Sequence, residues 1–334
     1  MKKLLLICLC SLIYFLATAQ TSKIKDIYIA GYEFNGTKSV AKYWKNGIPT
    51  NLSDGTNDAS AQSIVVSGND VYVAGYEYID KKSVAKYWKN GVATNLSDGT
   101  NRAYAYSIAV SGTDVYVAGY EYIDKKNVAK SWKNGIATNL TDGTTYAQAK
   151  SIVVIGTDVY VAGIEKKETI WVAKYWKNGI ATNLTDGTKD ADVLTMLISG
   201  KDVYVAGSES NGTKDVAKYW KNGIATTLSD GTTSAFPHSI VVDGNDVYVV
   251  GIEYNSSFHV VAKYWKNGIL TNLSDGTKDA EANSILVSGN DVYIAGYQYN
   301  DKHKTAVLWK NTVVTTITTD ANLSSGATSL YITK

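Results

Sequence analysis

The stretch VAKYWKNGVATNLSDGT occupies residues 84–100, and it returns almost unchanged as VAKYWKNGIATNLTDGT at residues 172–188. Its tryptophan recurs through the whole chain at intervals of 44 residues, with a single interval of 45. The recurring tryptophans are Trp44, Trp88, Trp132, Trp176, Trp220, Trp265 and Trp309. A repeat of this length that holds four short strands is typical of one blade of a β-propeller. The period therefore predicts seven blades.

Each repeat contains four stretches with strand character. In one copy they are residues 63–66, 70–76, 83–89 and 92–96. β-Branched and aromatic residues dominate them, and apolar residues occupy both faces, as in VYVA. This pattern favours sheets that are packed between neighbouring sheets rather than helices.

Turn residues separate these stretches. Asn90-Gly91 lies between the third and fourth stretches, and Asn-Gly predicts a type I′ hairpin because both central residues need a positive φ. Gly68 and Asn69 join the first two stretches in a similar way. Pro49 is predicted to lie in a fourth strand, at a blade edge that tolerates a missing N–H, and Pro237 in a loop.

The two ends of the chain predict how the ring closes. Residues 26–31 match a second strand, and residues 329–332 match a first strand. One blade is therefore expected to combine the N- and C-terminal strands, which would remove the open edge of a linear array. We predict an all-β fold, a seven-bladed β-propeller with four antiparallel strands per blade, formed by residues 20–334 as one domain.

Residues 1–19, MKKLLLICLCSLIYFLATA, have the pattern of an export signal. Two lysines precede an apolar run, and Ala17-Thr18-Ala19 supplies the small residues of a cleavage site. The apolar run is short for a membrane span, so no membrane insertion is expected after its removal. The protein is predicted to be periplasmic or extracellular. Both cysteines, Cys8 and Cys10, lie in this segment, so neither a disulfide nor a thiolate metal site is expected.

Charge argues against two classes of partner. The chain has 33 basic and 31 acidic residues, and removal of Lys2 and Lys3 leaves equal numbers. A nucleic acid or an anionic membrane surface would call for a basic protein. We expect a monomer without a cofactor, whose partner is a glycan, a peptide or a protein.

The recurring sequence resembles a known group of proteins. The pattern DGTxxAxAxSIxVSGxDVYVAGYE, followed by VAKYWKNG, is similar to tandem-repeat β-propellers of secreted bacterial proteins, and more distantly to NHL-type blades. The resemblance covers residues 26–333 and implies the fold. It implies no activity, because propellers serve many functions.

Residues that recur in every copy have structural interpretations. The tryptophans are predicted to pack between adjacent blades. The aspartates before Gly-Thr are predicted to form Asx-type turns, with calcium binding as the alternative. Hydroxyl residues at the start of each first strand are predicted to ring the channel and to bond to backbone or water. The aspartates are Asp54, Asp98, Asp142, Asp186, Asp230 and Asp275, and the hydroxyl residues are Ser63, Ser107, Ser151, Thr195, Ser239, Ser284 and Ser329.

A ring of glutamates is the strongest catalytic candidate, since paired carboxylates can act as acid and base. The seventh copy has Gln298 in place of the glutamate and also Val307 in place of a third-strand lysine. Joint loss of both residues favours structural ion pairs on diagonal cross-strand positions, such as Glu77 with Lys86. The glutamates are Glu33, Glu77, Glu121, Glu165, Glu209 and Glu253, and the lysines are Lys42, Lys86, Lys130, Lys174, Lys218 and Lys263.

Other catalytic patterns are weak. His238, His259 and His303 occupy unrelated positions in three copies, which does not suggest a metal site. His238 and Ser239 are neighbours on a strand and are expected to point to opposite faces, so no Ser-His-Asp arrangement is visible. The sequence predicts no catalytic residue and favours a non-enzymatic role.

Variation between copies is concentrated in two loops. One follows the Asp-Gly-Thr sequence, and the other joins the second and third strands; both are expected on the same face of the ring. The slot before each first strand is expected to lie nearest the channel mouth. The candidate ligand-binding residues are Gln62, Tyr104, Tyr106, Gln148, Lys150, Asp192, Phe236, His238, Glu281, Asn283 and Trp171.

Three functions remain open from the sequence. The first is an exported, non-enzymatic binding propeller whose variable loop face holds a glycan, a peptide or a protein, because aromatic and polar side chains mix there. The second is a structural or adhesive surface protein. The third is an enzyme that acts at the mouth of the channel. Drift of exposed loops would also explain the variation.

Overall fold

A computed structural model describes residues 24–318, 320 and 322–333. Within these residues the chain forms 28 strands in seven four-stranded antiparallel sheets, and the sheets surround a central channel. The predicted seven-bladed propeller is confirmed. No helix long and apolar enough to cross a membrane occurs in the described part of the chain. The predicted export signal, with Cys8 and Cys10, lies outside the described residues.

The strands are numbered β1–β28 in chain order, and each blade has an inner strand that lines the channel. The inner strands are β4 (Ala59–Ser67), β8 (Ala103–Ser111), β12 (Ala147–Ile155), β16 (Ala191–Ser199), β20 (Ala235–Asp243), β24 (Ala280–Ser288) and β28 (Ser325–Thr333). The second strands are β5 (Asp70–Ile79), β9 (Asp114–Ile123), β13 (Asp158–Lys167), β17 (Asp202–Ser210), β21 (Asp246–Tyr254), β25 (Asp291–Tyr299) and β1 (Asp26–Phe34). Inner strands begin four residues earlier than the sequence predicted.

The remaining two strands of each blade lie farther from the channel. The third strands are β6 (Lys82–Lys89), β10 (Lys126–Lys133), β14 (Ile170–Lys177), β18 (Asp215–Lys221), β22 (Val260–Lys266), β26 (Lys304–Lys310) and β2 (Ser39–Lys45). The short outer strands are β7 (Val92–Asn95), β11 (Ile136–Asn139), β15 (Ile180–Asn183), β19 (Ile224–Thr227), β23 (Ile269–Asn272), β27 (Val313–Thr316) and β3 (Ile48–Asn51). Pro49 lies in outer strand β3, as predicted. We number the blades from blade 1 (β28, β1, β2, β3) to blade 7 (β24–β27).

Blade 1 joins the two ends of the described chain. β28 pairs with β1 from Asp26 opposite Thr333 to Glu33 opposite Ser325. Hydroxyl groups then tie neighbouring inner strands together across this closure. Ser329 Oγ accepts a hydrogen bond from the backbone N–H of Ile64 at 3.2 Å.

The same hydrogen bond recurs between other blades. The accepting hydroxyls are those of Ser63, Ser107, Ser151, Ser239, Ser284 and Ser329, each bonded to the next inner strand. The prediction that these hydroxyls bond to backbone is confirmed for these six residues. These hydrogen bonds link neighbouring inner strands around the ring.

Tryptophans fill the spaces between blades. All seven repeat tryptophans are at most 2% exposed, and each belongs to an apolar cluster that spans two adjacent blades. Trp44, for example, packs with Tyr293 of blade 7 and with Leu330 of β28. The predicted inter-blade packing is confirmed, and burial of such large rings supplies much of the apolar stabilisation.

The turns between third and fourth strands have the predicted geometry. Asn90 has φ of 51° and Gly91 has φ of 84°, as a type I′ turn requires. The side chain of Asn90 accepts from the backbone N–H of Val71 at 2.9 Å and donates to Asp70 at 2.7 Å. Lys89 Nζ lies 2.8 Å from the same Asp70 carboxylate and, with Asn90, lowers its pKa.

The aspartates before Gly-Thr form the predicted turns. Asp54 Oδ1 accepts from the backbone N–H of Thr56 at 2.9 Å and from its hydroxyl at 2.7 Å. The same pair of bonds occurs at Asp98, Asp142, Asp186, Asp230 and Asp275. These carboxylates therefore serve as turn-forming acceptors.

Buried ion pairs connect second and third strands in six blades. Gly75 is opposite Lys86 and Glu77 is opposite Val84, so Glu77 and Lys86 are diagonal neighbours as predicted. Their side chains are 12% and 9% exposed and form an ion pair. The six pairs are Lys42–Glu33, Lys86–Glu77, Lys130–Glu121, Lys174–Glu165, Lys218–Glu209 and Lys263–Glu253. The glutamates are thus structural partners of lysines.

We expect Lys86→Met to lower the free energy of unfolding by about 2 kcal/mol, because Glu77 would remain buried without its cation. Blade 7 carries glutamine and valine at the matching positions, Gln298 and Val307. The double variant Glu77→Gln, Lys86→Val should therefore recover most of the loss. Chemical denaturation measures both. A single variant as stable as the wild type would contradict a stabilising role for the pair.

Candidate functional site

Every inner strand contains a β-bulge near its start. In β4, Ala61 is opposite Gly75 and Ser63 is opposite Ala74, so Gln62 has no partner on β5. The seven bulged residues are Gln62, Tyr106, Lys150, Leu194, His238, Asn283 and Thr328. A bulge turns one side chain away from the regular alternation of a strand. These residues occupy the variable slots, which lie inside the inner strands and not before them.

A glycine opposite each bulge makes it possible. A Cβ atom on Gly75 would overlap the backbone carbonyl oxygen of Ser60. The equivalent clash occurs at Gly31, Gly119, Gly163, Gly207, Gly251 and Gly296. The glycine of DVYVAG is therefore required by close backbone approach at the bulge.

Pro237 was predicted to lie in a loop, and this prediction is wrong. Pro237 lies in inner strand β20, opposite Gly251 and directly before the bulged His238. Proline is tolerated at bulges because the ladder of hydrogen bonds is interrupted there. The unpredicted bulge is the reason for the error.

The seven bulged side chains meet in one cavity of about 420 Å³ at the mouth of the channel. The cavity is also lined by Tyr32, Glu281, Tyr297, Lys304, Gly326 and Ala327. Its size lies within the range of roughly 300–1,000 Å³ that is usual for small-molecule sites. One residue per blade thus gives a circular repeat an asymmetric pocket.

At this mouth, Lys150 of blade 4 lies beside Asp192 of blade 5. Lys150 Nζ lies 3.9 Å from Asp192 Oδ2, which is too long for a hydrogen bond but close enough for ionic attraction. Burial raises the pKa of Asp192, although Lys150 opposes this effect. The two groups attract each other without a close contact.

His238 stands next to this pair, on blade 6. Its Nδ1 lies 3.0 Å from Asn283 Oδ1, and Asn283 Nδ2 donates to the carbonyl of Ala327 at 2.9 Å. Because the amide oxygen of Asn283 faces the ring, Nδ1 carries the proton. Burial lowers the pKa of His238, against the opposite influence of Glu281. The imidazole is therefore neutral near pH 7.

Glu281 and two tyrosines complete the polar wall on blades 7 and 1. Burial, and next the hydrogen bond to Glu281, raise the pKa of Tyr297. Burial raises the pKa of Tyr32 to about 12. Both phenols keep their protons and can donate. Lys304 Nζ lies 4.2 Å from the centre of the Tyr297 ring, a cation–π distance.

The opposite side of the mouth is aromatic. Tyr106 stacks on Tyr104 with ring centres 6.2 Å apart, and Tyr104 lies 4.8 Å from Tyr76 and 5.2 Å from Tyr120. Only Tyr106 of this cluster lines the cavity. The other rings support it from behind, so Tyr106 presents a fixed aromatic face.

Phe236 belongs to a different cavity, of about 390 Å³, between blades 5 and 6. Its ring is perpendicular to Tyr254 at 6.4 Å between centres. Phe258 lines the same cavity and is 81% exposed, with φ of 64°. The loop that holds it belongs to the one repeat that is a residue longer.

The predicted site residues are therefore divided by the structure. Gln62, Tyr106, Lys150, His238, Glu281 and Asn283 line the channel cavity, and Asp192 contacts it through Lys150. Tyr104 packs behind Tyr106. Trp171 and Gln148 lie elsewhere on the same face: Lys166 Nζ lies 5.6 Å from the centre of the Trp171 ring, and half-buried Gln148 is opposite Ile164.

The two variable loops do share one face, as predicted. The backbone N–H of Trp171, at the start of a third strand, donates to Asp190 in the loop after an outer strand at 2.8 Å. In blade 2 the two loops are also in contact, because Lys82 Nζ donates to the backbone carbonyl of Thr100 at 2.6 Å.

The candidate residues taken from the sequence omit seven residues that line the cavity, namely Tyr32, Leu194, Tyr297, Lys304, Gly326, Ala327 and Thr328. Thr328 could have been found, because Ser325-Gly326-Ala327-Thr328-Ser329 aligns with the Ala-x-Ala-x-Ser pattern of the other inner strands. The two tyrosines follow the DVYVAG glycine, a position that looks like ordinary strand sequence.

Comparisons with known proteins give structural matches only. No protein-family model matches the chain, and no curated protein matches it. A puromycin-hydrolyzing peptidase of Mycobacterium tuberculosis is 11% identical with a TM-score of 0.59, over 84% of this chain and 50% of the peptidase. A puromycin hydrolase is 9% identical with a TM-score of 0.59, over 89% of this chain and 52% of the hydrolase. TolB from Acinetobacter baumannii is 10% identical with a TM-score of 0.50, over 74% of this chain and 63% of TolB.

These matches correct the function expected from the sequence. The prediction of an exported, non-enzymatic binding propeller that works through its variable loop face is contradicted, because two of the matching structures are peptidases. The adhesive alternative finds no counterpart among the three matches above. At 9–11% identity the likeness shows the propeller fold alone. The chain spans about half the length of the two peptidases.

Proposed function

We propose that this propeller is the substrate-admitting part of a peptide-hydrolysing system. It takes a short peptide or aminoacyl compound into the channel mouth and works with a hydrolytic centre outside the propeller. The observation that carries this proposal is the convergence of seven bulged side chains, one per blade, in a single cavity. A small, concave, mixed polar and aromatic pocket suits a small ligand better than a flat loop surface does.

Two further observations support substrate binding by the propeller and hydrolysis at a centre outside it. The two matching peptidases are about twice as long as the part that resembles this chain. Within the propeller, the serine hydroxyls nearest the channel already accept backbone hydrogen bonds from the next blade, as Ser63 does from Ile108 at 3.3 Å. Such hydroxyls serve the fold, so we place the nucleophile of the reaction elsewhere.

Export forms part of the same proposal. The lysines, apolar run and small residues of positions 1–19 support delivery to the periplasm or the cell exterior, with removal of this segment. The similarity of the repeats to secreted bacterial propellers, and more distantly to NHL-type blades, supports the same location. A hydrolytic system outside the cytoplasm would act on peptides that arrive from the surroundings.

The test is depletion and restoration of hydrolysis. The exported fraction of cells that produce the protein is depleted of it with an antibody, and release of the amino acid from puromycin is measured by chromatography. We expect depletion to lower the rate at least fivefold and purified wild-type protein to restore it. Leu194→Trp fills the cavity with a larger side chain and should not restore it.

The matched control is Ile180→Trp, which places the same side chain on an outer strand at a position that is 75% exposed. This variant should restore hydrolysis as the wild type does. Both variants must show wild-type thermal unfolding. An unchanged rate after depletion, or equal restoration by Leu194→Trp, would refute the proposal.

A further inference from the structure

We propose that the channel mouth holds one short, unblocked peptide that carries an aromatic side chain, and that it recognises both charged ends of that peptide. This inference names the ligand class of the function proposed above and rests on it. Glu281 would bind the free amino group, Lys150 the free carboxylate, and Tyr106 the aromatic ring.

The first argument is the division of the cavity into two halves. Blades 4, 6 and 7 contribute Lys150, His238 and Glu281 to the lining, and Asp192 of blade 5 lies 3.9 Å from Lys150. Charged and polar groups are therefore concentrated on one arc, on which Leu194 of blade 5 is the apolar member. Blades 1 to 3 contribute Thr328, Gln62 and Tyr106, which carry no charge. A ligand that fits both halves must combine ionic groups with an uncharged, aromatic part.

The second argument is charge balance inside a confined space. Basic groups, Lys150 and Lys304, and the acidic group Glu281 line the same cavity of about 420 Å³. A polyanion would be repelled by Glu281 and by nearby Asp192, and a polycation by the lysines. A zwitterion presents one charge of each sign, as a short aromatic peptide with free ends does.

The third argument is that Lys150 can exchange its present partner for a ligand. Its Nζ lies 3.9 Å from Asp192, whereas a charge-assisted hydrogen bond between such groups spans about 2.7–2.9 Å. The same Nζ lies 5.8 Å from the centre of the Tyr106 ring. A carboxylate bound by Lys150 would therefore sit beside the aromatic face.

The fourth argument concerns the acidic end. Glu281 is directly opposite Tyr297 in the pairing of β24 with β25, and both side chains line the cavity. His238 does not compete with the ligand for Glu281, because its Nδ1 is bonded to Asn283 at 3.0 Å. Glu281 is thus the anionic group that a ligand amino group would meet on this side.

Titration calorimetry with four ligands tests the inference on the purified protein. The ligands are tyrosyl-glycyl-glycine, its N-acetylated form, its C-terminal amide and alanyl-glycyl-glycine. We expect one molecule of the free tyrosyl peptide to bind per chain. Each blocked form, and the alanyl peptide, should bind at least tenfold more weakly.

Three variants assign the contacts. In Glu281→Gln the acetylated peptide should bind as well as the free peptide, while the amidated peptide still binds more weakly. In Lys150→Met the amidated peptide should bind as well as the free peptide, while the acetylated peptide still binds more weakly. Tyr106→Leu should remove the preference for tyrosyl over alanyl peptide. Asp243→Asn and Lys201→Met, exposed on the opposite face, are the matched controls and should bind as the wild type does.

The ligand comparison needs no variant, so a variant that fails to fold leaves the test intact. Equal binding of free and blocked peptides to the wild type would overturn the inference. So would weaker binding of the blocked peptides that persists unchanged in folded Glu281→Gln and Lys150→Met. If end recognition is absent while depletion and restoration of hydrolysis succeed, the ligand class is wrong and the proposed function stands. The reverse pattern would refute the role in hydrolysis and retain the ligand.

Discussion

Removal of residues 325–333 is expected to abolish folding as a stable monomer. This truncation deletes β28, the inner strand of blade 1, and leaves β1 without its inner partner from Asp26 to Glu33. It also opens the apolar cluster that Leu330 forms with Trp44 and Tyr293. An open ring exposes strand edges and apolar faces at the same time, which favours aggregation.

The size of this effect follows from the number of contacts that depend on one strand. β28 bonds to both neighbouring inner strands, through Ser329 to Ile64 and through Leu330 to Ser284. The free energy lost with these contacts should exceed the whole free energy of unfolding of a typical domain, roughly 5–15 kcal/mol. Circular dichroism during heating and light scattering would show the absence of a cooperative transition and the presence of large particles.

A circular permutant is the matched control for the truncation. It places residues 322–333 before residue 26, joined by a Gly-Asn turn like that between the inner and second strands of blade 2. The same strands then form blade 1 as one continuous chain. Wild-type unfolding in the permutant, with collapse in the truncated chain, is the expected result. A truncated chain that stays monomeric and melts within a few degrees of the wild type would contradict closure by β28.

Gly75→Ala is expected to lower the free energy of unfolding by about 4 kcal/mol. The added Cβ would occupy the position of the Ser60 carbonyl oxygen, which is backbone and cannot turn aside as a side chain could. Relief would require the bulge at Gln62 to move. The strand pairing on both sides of the bulge, and the cavity wall, would move with it.

Gly36→Ala is the control, because Gly36 has φ of 99° and no atom within 4 Å of an added Cβ. It should cost about 1–2 kcal/mol through backbone strain alone. Urea denaturation of both variants separates crowding from strain. Equal losses in the two variants would show that close approach at the bulge is not the reason for the glycine.

Much of the architecture was predictable because each element has a local cause. Asn90-Gly91 adopts the conformation that its sequence favours wherever it occurs. Glu77 and Lys86 pair because a diagonal neighbour relation follows from strand register. The loss of both partners in blade 7 made this pair visible in a single sequence.

The site was less predictable because it depends on a single inserted residue per strand. Side chains alternate with a period of two, so one bulged residue reverses the direction of every residue after it. No rule of composition marks Gln62 as bulged, and Pro237 was misplaced for the same reason. The functional error had a different origin. The function was corrected by structural matches to peptidases, which no motif or spacing in the repeats indicates.

The sequence by itself determined the number of blades, the type of their hairpin turns, the ion pairs and the closure of the ring by the two terminal strands. These features arise from residues that are near in the chain or repeated at one period. Only the tertiary structure decided which variable side chains share a cavity. Lys150 and Asn283 are 133 positions apart in the chain, and they line the same space only because seven bulges point inward around a closed circle.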